Sequence, residues 1–232
     1  MANKICESIR LLASNFLLFS AIVLTIWLPA NLWINHQLFH AENLDIRSLY
    51  KLGPMIETGL GPICSGALIF ALWQIKLGQQ VSYREAMAVG FKKWVPLFKA
   101  RFVAEILIIL GLIGLIVPGI VLMVRYSLLA PAVVLEGRDV EGSRARSIEL
   151  TKGQRWKILG AGLVTLLLTL ASSELLNMAS EAVPILWSSQ AYRVVIDCIS
   201  DILISLIQIV MFLFYWDAVQ KPSLQEIEAA TR

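Results

Sequence analysis

Long apolar runs dominate the chain, and their lengths predict helices that cross a membrane. A helix rises about 1.5 Å per residue, so about 20 apolar residues cross a hydrocarbon core of about 30 Å. Four runs readily meet this requirement. They cover residues 16–34, 58–75, 158–176 and 198–216. The pattern predicts an all-α polytopic membrane protein, built as a single integral membrane domain over residues 1–232.

The apolar run 102–136 is too long for one span. Its 35 residues would form a helix of roughly 53 Å. Pro118-Gly119 lies near its middle, where proline interrupts a helix and glycine permits a tight turn. We therefore predict two short spans, 102–117 and 120–136, joined by a hairpin corner at Pro118 and Gly119. The alternative is one central span over about residues 105–124 with a polar continuation.

The distribution of basic residues favours the hairpin. Six basic residues lie in the connection 76–101 and six in the connection 138–157. Short basic loops stay on the cytoplasmic side, so an even number of crossings should separate these two connections. This argument predicts six spans with both termini cytoplasmic, and amphipathic helices in the cytoplasmic connections. Three basic residues would then lie outside (Arg47, Lys51 and Arg193), and Arg125 would lie within the membrane.

Composition agrees with a membrane protein. Hydrophobic residues make up 57% of the chain and charged residues 16%, with a mean hydropathy of +0.71. Soluble domains contain about 45–50% apolar and about 25% charged residues. These values exclude a disordered chain, a nucleic-acid-binding protein and an ordinary cytosolic enzyme. The three cysteines form no C-x-x-C pattern, and no A-x-A cleavage site follows the first apolar run, which we interpret as an uncleaved span.

The two basic connections resemble each other in sequence. One begins Gly78-Gln-Gln-Val81 and reaches Trp94, and the other begins Gly137-Arg-Asp-Val140 and reaches Trp156. This similarity favours an internal repeat of an interfacial helix followed by a membrane hairpin. The alternative is that any helix at the inner leaflet is basic and amphipathic.

The segment 111–160 carries one recognisable group of residues, namely Pro118-Gly119, Arg125, Pro131 to Val134, Glu136-Gly137, Ala145-Arg146-Ser147, Leu150 and Gly153. Together they resemble the YciC-like family of bacterial inner-membrane proteins and the related membrane domain fused to some glycerophosphodiester phosphodiesterases. The resemblance implies a six-span inner-membrane protein whose biochemical role is largely unassigned. It implies no phosphodiesterase activity, because that chemistry resides in a separate soluble barrel domain.

Ionisable residues inside the predicted spans are the first candidates for function. Arg193, Asp197 and Asp201 are spaced by four residues and therefore share one face of the last helix, and Ser205 and Gln208 continue this polar stripe. We predict that Arg125 pairs with Asp201. Such a pair could fix helix packing, or the stripe could line a pathway for a solute, an ion or a proton.

The sequence contains no recognisable enzyme motif, and we predict no catalytic residue, no cofactor and no metal site. His36 and His40 are the only histidines, and with Glu42 they make a poor metal-ligand set. The expected partner is the lipid bilayer rather than nucleic acid. We predict contacts between anionic phospholipid head groups and Arg144, Arg146 and Lys152, although positive-inside topology alone would also explain these residues.

Two functions are compatible with these features. The first is a non-enzymatic inner-membrane protein that organises envelope lipid or partner proteins. The second is a small transporter or channel whose path is lined by the polar stripe of the last span. Replacing Asp201 with asparagine should destabilise the bundle in the first case and alter flux in the second.

Overall fold

The computed structural model describes residues 2–40, 46–181 and 189–230 of the chain. These residues form helices and contain no β-strand. The helices are α1 (Ala2–Ser14), α2 (Phe16–His40), α3 (Ile46–Gly59), α4 (Gly61–Lys76), α5 (Tyr83–Gly114), α6 (Ile116–Tyr126), α7 (Leu129–Leu135), α8 (Val140–Thr151), α9 (Arg155–Glu181) and α10 (Gln190–Ala230).

Several of these helices are long and apolar enough to cross a membrane. Four stretches qualify within the described ranges, and a fifth qualifies if α3 and α4, which meet at a bend of 51°, count as one span. The prediction of an all-helical chain with apolar spans is therefore confirmed. The bend falls inside the predicted span 58–75, where Pro62 occupies the first turn of α4. The four stretches are Phe16–Gln37, Ile116–Leu135, Arg155–Met178 and Gln190–Gln220.

The chain reverses near the predicted hairpin, but the corner is not at Pro118-Gly119. Helix α5 ends at Gly114, Leu115 is extended (φ −160°, ψ 135°), and α6 begins at Ile116. Pro118 lies in the first turn of α6, where a missing N–H costs nothing because that group has no helical partner. Gly119 is needed for packing, since a Cβ atom there would lie 2.7 Å from the backbone nitrogen of Leu112.

Helix α4 lies at the centre of the bundle. Eleven of its residues are buried, among them Ile63, Leu68 and Leu72. Helix α5 crosses α4 in close contact where Gly66 meets Gly90, and a Cβ atom at Gly90 would lie 2.5 Å from the carbonyl oxygen of Ile63. Small residues allow helix backbones to approach closely, which explains the glycines at this crossing.

The two basic connections start with the same local structure. Gly78 and Gly137 both have positive φ, 72° and 66°. Ser82 then caps α5 through a capping box with Glu85, and Asp139 caps α8 by accepting a hydrogen bond from the Gly142 amide. The connections differ afterwards, because α5 continues as one helix whereas α8 ends before Gly153, a third glycine with positive φ at 81°.

Candidate acidic chamber between helices α2, α4, α5 and α10

Two asparagine–aspartate pairs connect α2 to α10. The Nδ2 atom of Asn31 donates to Oδ2 of Asp201 at 2.7 Å, and Nδ2 of Asn35 donates to Oδ2 of Asp197 at 2.7 Å. Each helix contributes two residues spaced by four, so both pairs lie on one face of each helix. The numbers rise along α2 as they fall along α10, so the helices run antiparallel. The polar stripe of the last span is thus matched by amides of the first.

Asn31 and Asn35 were not predicted as site residues, because they lie at the end of the predicted span 16–34 and just beyond it. Their spacing carried a usable signal, since two amides four residues apart in an apolar helix match two carboxylates with the same spacing. Both asparagines are buried, and Asn35 also donates to the Asn31 carbonyl oxygen at 3.0 Å.

The predicted pair of Arg125 with Asp201 is wrong. Asp201 binds Asn31 instead, and no ion pair within 4.0 Å joins it to Arg125. The reason is the position of the hairpin corner. With the reversal at Leu115, Arg125 lies roughly 15 Å along the returning helix. There its carbonyl oxygen accepts a hydrogen bond from Ser147 of α8 at 2.6 Å.

A cavity of about 130 Å³ lies beside the asparagine–aspartate pairs. We call it the acidic chamber. A cavity needs about 10–15 Å³ of such volume to hold one water, so the chamber accommodates a small hydrated solute. Trp27 of α2 contributes to its apolar wall. Its polar lining comes from Glu57, Cys64, Ser65, Arg101, Asp201, Ser205 and Gln208.

The chamber is rich in hydrogen-bond acceptors. Asp201 and Glu57 contribute carboxylates, and Oε1 of Gln208 is buried with no hydrogen-bond partner in the described part of the chain. The Ser205 hydroxyl donates to the Ile202 carbonyl oxygen at 2.6 Å, which leaves its oxygen free to accept. A ligand that donates hydrogen bonds or carries positive charge would satisfy these groups.

Arg101 stands between the acidic chamber and a second cavity. Its Nη1 atom donates to the Ser65 hydroxyl at 3.2 Å, and its Nε atom lies 3.7 Å from Glu105, as its spacing of four residues predicts. Ser65, Arg101 and Gln208 line both cavities. The second cavity has a volume of about 230 Å³ and extends towards Tyr126. The two cavities therefore share one polar wall.

Comparison with known proteins adds a family. A domain of unknown function, DUF7847, matches residues 61–219 of the chain. The chain belongs to the DUF7847 family. No curated protein and no solved structure matches it.

The DUF7847 match supplies most of the chamber. It includes α4, α5 and the part of α10 that carries Asp197, Asp201, Ser205 and Gln208. Helix α2, with Asn31 and Asn35, precedes the matched residues, as does Glu57. The chamber is therefore completed by residues outside the DUF7847 match.

The basic residues predicted to contact head groups also lie within the DUF7847 domain, and they differ in environment. Arg146 is engaged by two carboxylates, with Nε 3.0 Å from Glu136 and Nη1 2.8 Å from Glu149. Arg144 has a buried Nε atom without a partner among the described residues. Lys152 is exposed at the end of α8. Arg146 is thus already neutralised, whereas the other two remain available.

Glu136 lies just after the end of α7 and organises the contacts of this DUF7847 connection. It accepts hydrogen bonds from Arg146, from Arg138 at 2.6 Å and from the Tyr215 hydroxyl at 3.0 Å. Burial alone would raise the pKa of Glu136, but these three donors outweigh burial and lower the pKa below its usual value. The carboxylate therefore remains charged and holds α8 against α10 at Tyr215.

Proposed function

We propose that this protein crosses the bacterial inner membrane six times and moves a small cationic solute through the acidic chamber. The observation that supports this proposal is that Asp201, Ser205 and Gln208 of the polar stripe line a cavity together with Glu57. This is the transporter or channel function expected from the sequence as the alternative. The inner-membrane setting rests on the resemblance to YciC-like proteins, which stays a prediction.

The proposed membrane position agrees with the exposed surface. Helix α9 exposes Leu163, Leu167 and Leu170, and the α5–α6 hairpin exposes Ile113 and Ile116. Soluble monomers rarely expose contiguous apolar patches larger than a few hundred Å². A lipid environment would remove these side chains from water and so accounts for their exposure.

The proposed six spans require one crossing by the apolar end of α5. Residues 102–114 would measure about 20 Å, which is shorter than an average hydrocarbon core. Bilayer thinning accommodates such a mismatch at modest cost. The returning stretch Ile116–Leu135 then restores the chain to the side from which it came. With the basic connections on the cytoplasmic side, both termini are cytoplasmic.

The choice of a cation follows from the chemistry of the chamber. Two carboxylates and the Gln208 carbonyl oxygen face one guanidinium, which is itself shared with Ser65 and Glu105. A small cation or a protonated amine would find acceptors there and would offset the negative charge. An anion would meet two carboxylates within a cavity of about 130 Å³, where like charges repel each other more strongly than in bulk water.

The other function expected from the sequence, a non-enzymatic organiser of lipid or partner proteins, has less support from the predicted residues. Arg146, the central residue of the predicted head-group contacts, is occupied by Glu136 and Glu149. A lipid contact through Arg144, Arg146 and Lys152 together would require those ion pairs to open.

The test is a flux measurement in proteoliposomes. Purified protein would be reconstituted, and uptake of Na⁺, K⁺ and methylammonium would be measured against protein-free vesicles. We expect uptake of at least one of these cations, reduced at least tenfold by Asp201→Asn. The matched control is Glu141→Gln, because Glu141 is an exposed carboxylate on α8 away from the chamber lining. Absence of uptake by the unmodified protein, or equal uptake by both variants, would contradict the proposal.

A measurement of unfolding separates the two roles of Asp201. If Asp201→Asn lowered the melting temperature and left cation uptake intact, Asp201 would serve helix packing alone. If uptake fell while the melting temperature stayed within a few degrees of the parent, the carboxylate would act on the solute.

A further inference from the structure

A separate surface groove lies between α6 and α9. It is an open groove of about 430 Å³ that shares no lining residue with the acidic chamber. We call it the arginine-ended groove. Its apolar part comes from α6 and Leu159, and its polar part comes from the first turn of α9, where Arg155 is followed by Trp156. Its α6 residues are Val117, Ile120, Val121 and Val124.

Three arginines, of which Arg155 lines this groove, have a buried Nε atom without a hydrogen-bond partner in the described ranges. They are Arg125 on α6, Arg144 on α8 and Arg155 on α9. None of the three forms an ion pair within those ranges, whereas Arg101, Arg138 and Arg146 all do. The three residues are partly exposed, but the buried Nε–H group of each lacks an acceptor, and an unsatisfied buried donor is costly. An anion that reaches these guanidinium groups would supply that acceptor.

Helix α6 packs against both α8 and α9, the other two helices that carry these arginines. Ser147 of α8 donates to the carbonyl oxygen of Arg125, and Arg144 lies one turn before Ser147. Arg155 lines the groove beside Val121 and Val124, and Val124 is the residue immediately before Arg125. The basic end of the groove therefore lies near the end of α6, which contacts α8 on one side and α9 on the other.

We propose that the arginine-ended groove binds one anionic phospholipid. Arg155 holds the phosphate, with Arg125 and Arg144 as the neighbouring positive charges, and an acyl chain lies along Val117, Val121 and Leu159. Guanidinium groups bind phosphate in a bidentate manner, and the N-terminus of α9 adds the positive end of its dipole. The site keeps only Arg144 of the three head-group contacts predicted from the sequence.

A lipid is favoured over free phosphate as the ligand because the basic residue Arg155 and an apolar surface line the same groove. A phosphate ion would use the basic end and leave Val117, Val121 and Ile120 unoccupied. Trp156 is 85% exposed directly beside Arg155, and exposed tryptophan prefers the membrane–water interface. That position would place the phosphate at head-group depth and the groove within the acyl layer.

Native mass spectrometry of the delipidated full-length protein tests this inference. Phosphatidylglycerol and phosphatidylcholine would each be titrated in mild detergent. We expect one phosphatidylglycerol per chain, bound at least tenfold more tightly than phosphatidylcholine. Arg155→Gln should reduce phosphatidylglycerol affinity at least tenfold. The matched control Lys157→Gln removes a charge from an exposed residue on the next part of α9 and should change affinity less than twofold.

A second variant tests the apolar part without changing charge. Val121→Trp should fill the groove and weaken phosphatidylglycerol binding, whereas Leu163→Trp, at an exposed position of α9 outside the groove lining, should not. If phosphatidylglycerol binding were unchanged in Val121→Trp and fully displaced by inorganic phosphate, that result would overturn the proposal that the ligand is a phospholipid and would indicate a site for free phosphate. Equal affinity for both lipids, or no retained lipid at all, would also overturn the inference.

Discussion

Asn31 and Asp201 lie 170 positions apart in the chain and share a hydrogen bond of 2.7 Å. The bond places an amide of the first long apolar helix against a carboxylate of the last. Because Asp201 also lines the acidic chamber, the same carboxylate both joins α2 to α10 and faces a cavity. Substitutions on the two sides of this bond should therefore have different consequences.

Asn31→Ala should destabilise the protein without removing the carboxylate from the chamber. Interhelical hydrogen bonds in membranes contribute about 0.6 kcal/mol on average and up to about 1.7 kcal/mol. We expect the free energy of unfolding to fall by an amount near the upper value, because the partly buried carboxylate of Asp201 would lose its hydrogen-bond donor. Reversible unfolding in mixed micelles would measure it. The control is Asn3→Ala at an exposed position of α1, which should leave stability unchanged.

One half of the asparagine–aspartate pairs could be predicted from the sequence, and the other half was not. The spacing of Asp197, Asp201, Ser205 and Gln208 follows from the periodicity of a single helix, so it could be predicted without knowing any neighbour. The partner of Asp201 depends on which helix packs against α10, and the periodicity of α10 by itself does not specify that helix. Arg125 was predicted as the partner because it was the basic residue expected within the membrane, whereas Asp201 accepts its hydrogen bond from Asn31.

The α5–α6 hairpin could also be predicted only in part from the sequence. Its existence followed from the length of the apolar run and the charge on either side. Its corner did not follow, because Pro118 was interpreted as a breaker although proline is also favoured in the first turn of a helix. The extended conformation of Leu115, which makes the turn, leaves no signature in the residue itself.

Gly90→Ala should disrupt the crossing of α4 and α5. The added Cβ atom would lie 2.5 Å from the backbone oxygen of Ile63 and 3.1 Å from the Ala67 side chain, so one helix must move. Overpacking of this kind costs roughly 1–3 kcal/mol. The same substitution at Gly114 meets nothing within 4 Å and should leave stability nearly unchanged. A smaller loss at Gly90 than at Gly114, measured by unfolding, would show that the helices are not held at this crossing.

Glu136 should make the stability of the protein depend on acidic pH. Its pKa in the folded state is lowered, so its contribution is complete above the unfolded value of about 4.3 and disappears as pH falls through the folded value. Glu136→Gln should therefore lower stability at pH 7 and flatten the pH dependence below about 4.3. Melting curves between neutral and acidic pH would measure both effects. An unchanged slope in Glu136→Gln would assign the acid sensitivity to other carboxylates.

Arg101→Ala should increase cation flux if the proposed function is correct. Arg101 is the positive charge in the wall shared by the acidic chamber and the second cavity, and a cation that passes from one to the other must pass it. Two unit charges about 4 Å apart repel by about 4 kcal/mol at an effective dielectric constant of about 20, so removing one should raise the rate severalfold or more.

Arg101→Lys keeps the charge but shortens the reach to Ser65, and its flux should lie between that of Arg101→Ala and that of the parent. Lys99→Ala, at an exposed position two residues earlier on α5, is the matched control and should leave flux unchanged. If Arg101→Ala abolished flux instead, while the protein stayed folded, Arg101 would have to bind the solute itself. The solute would then be an anion, and the acceptor-rich chamber would not be its binding site.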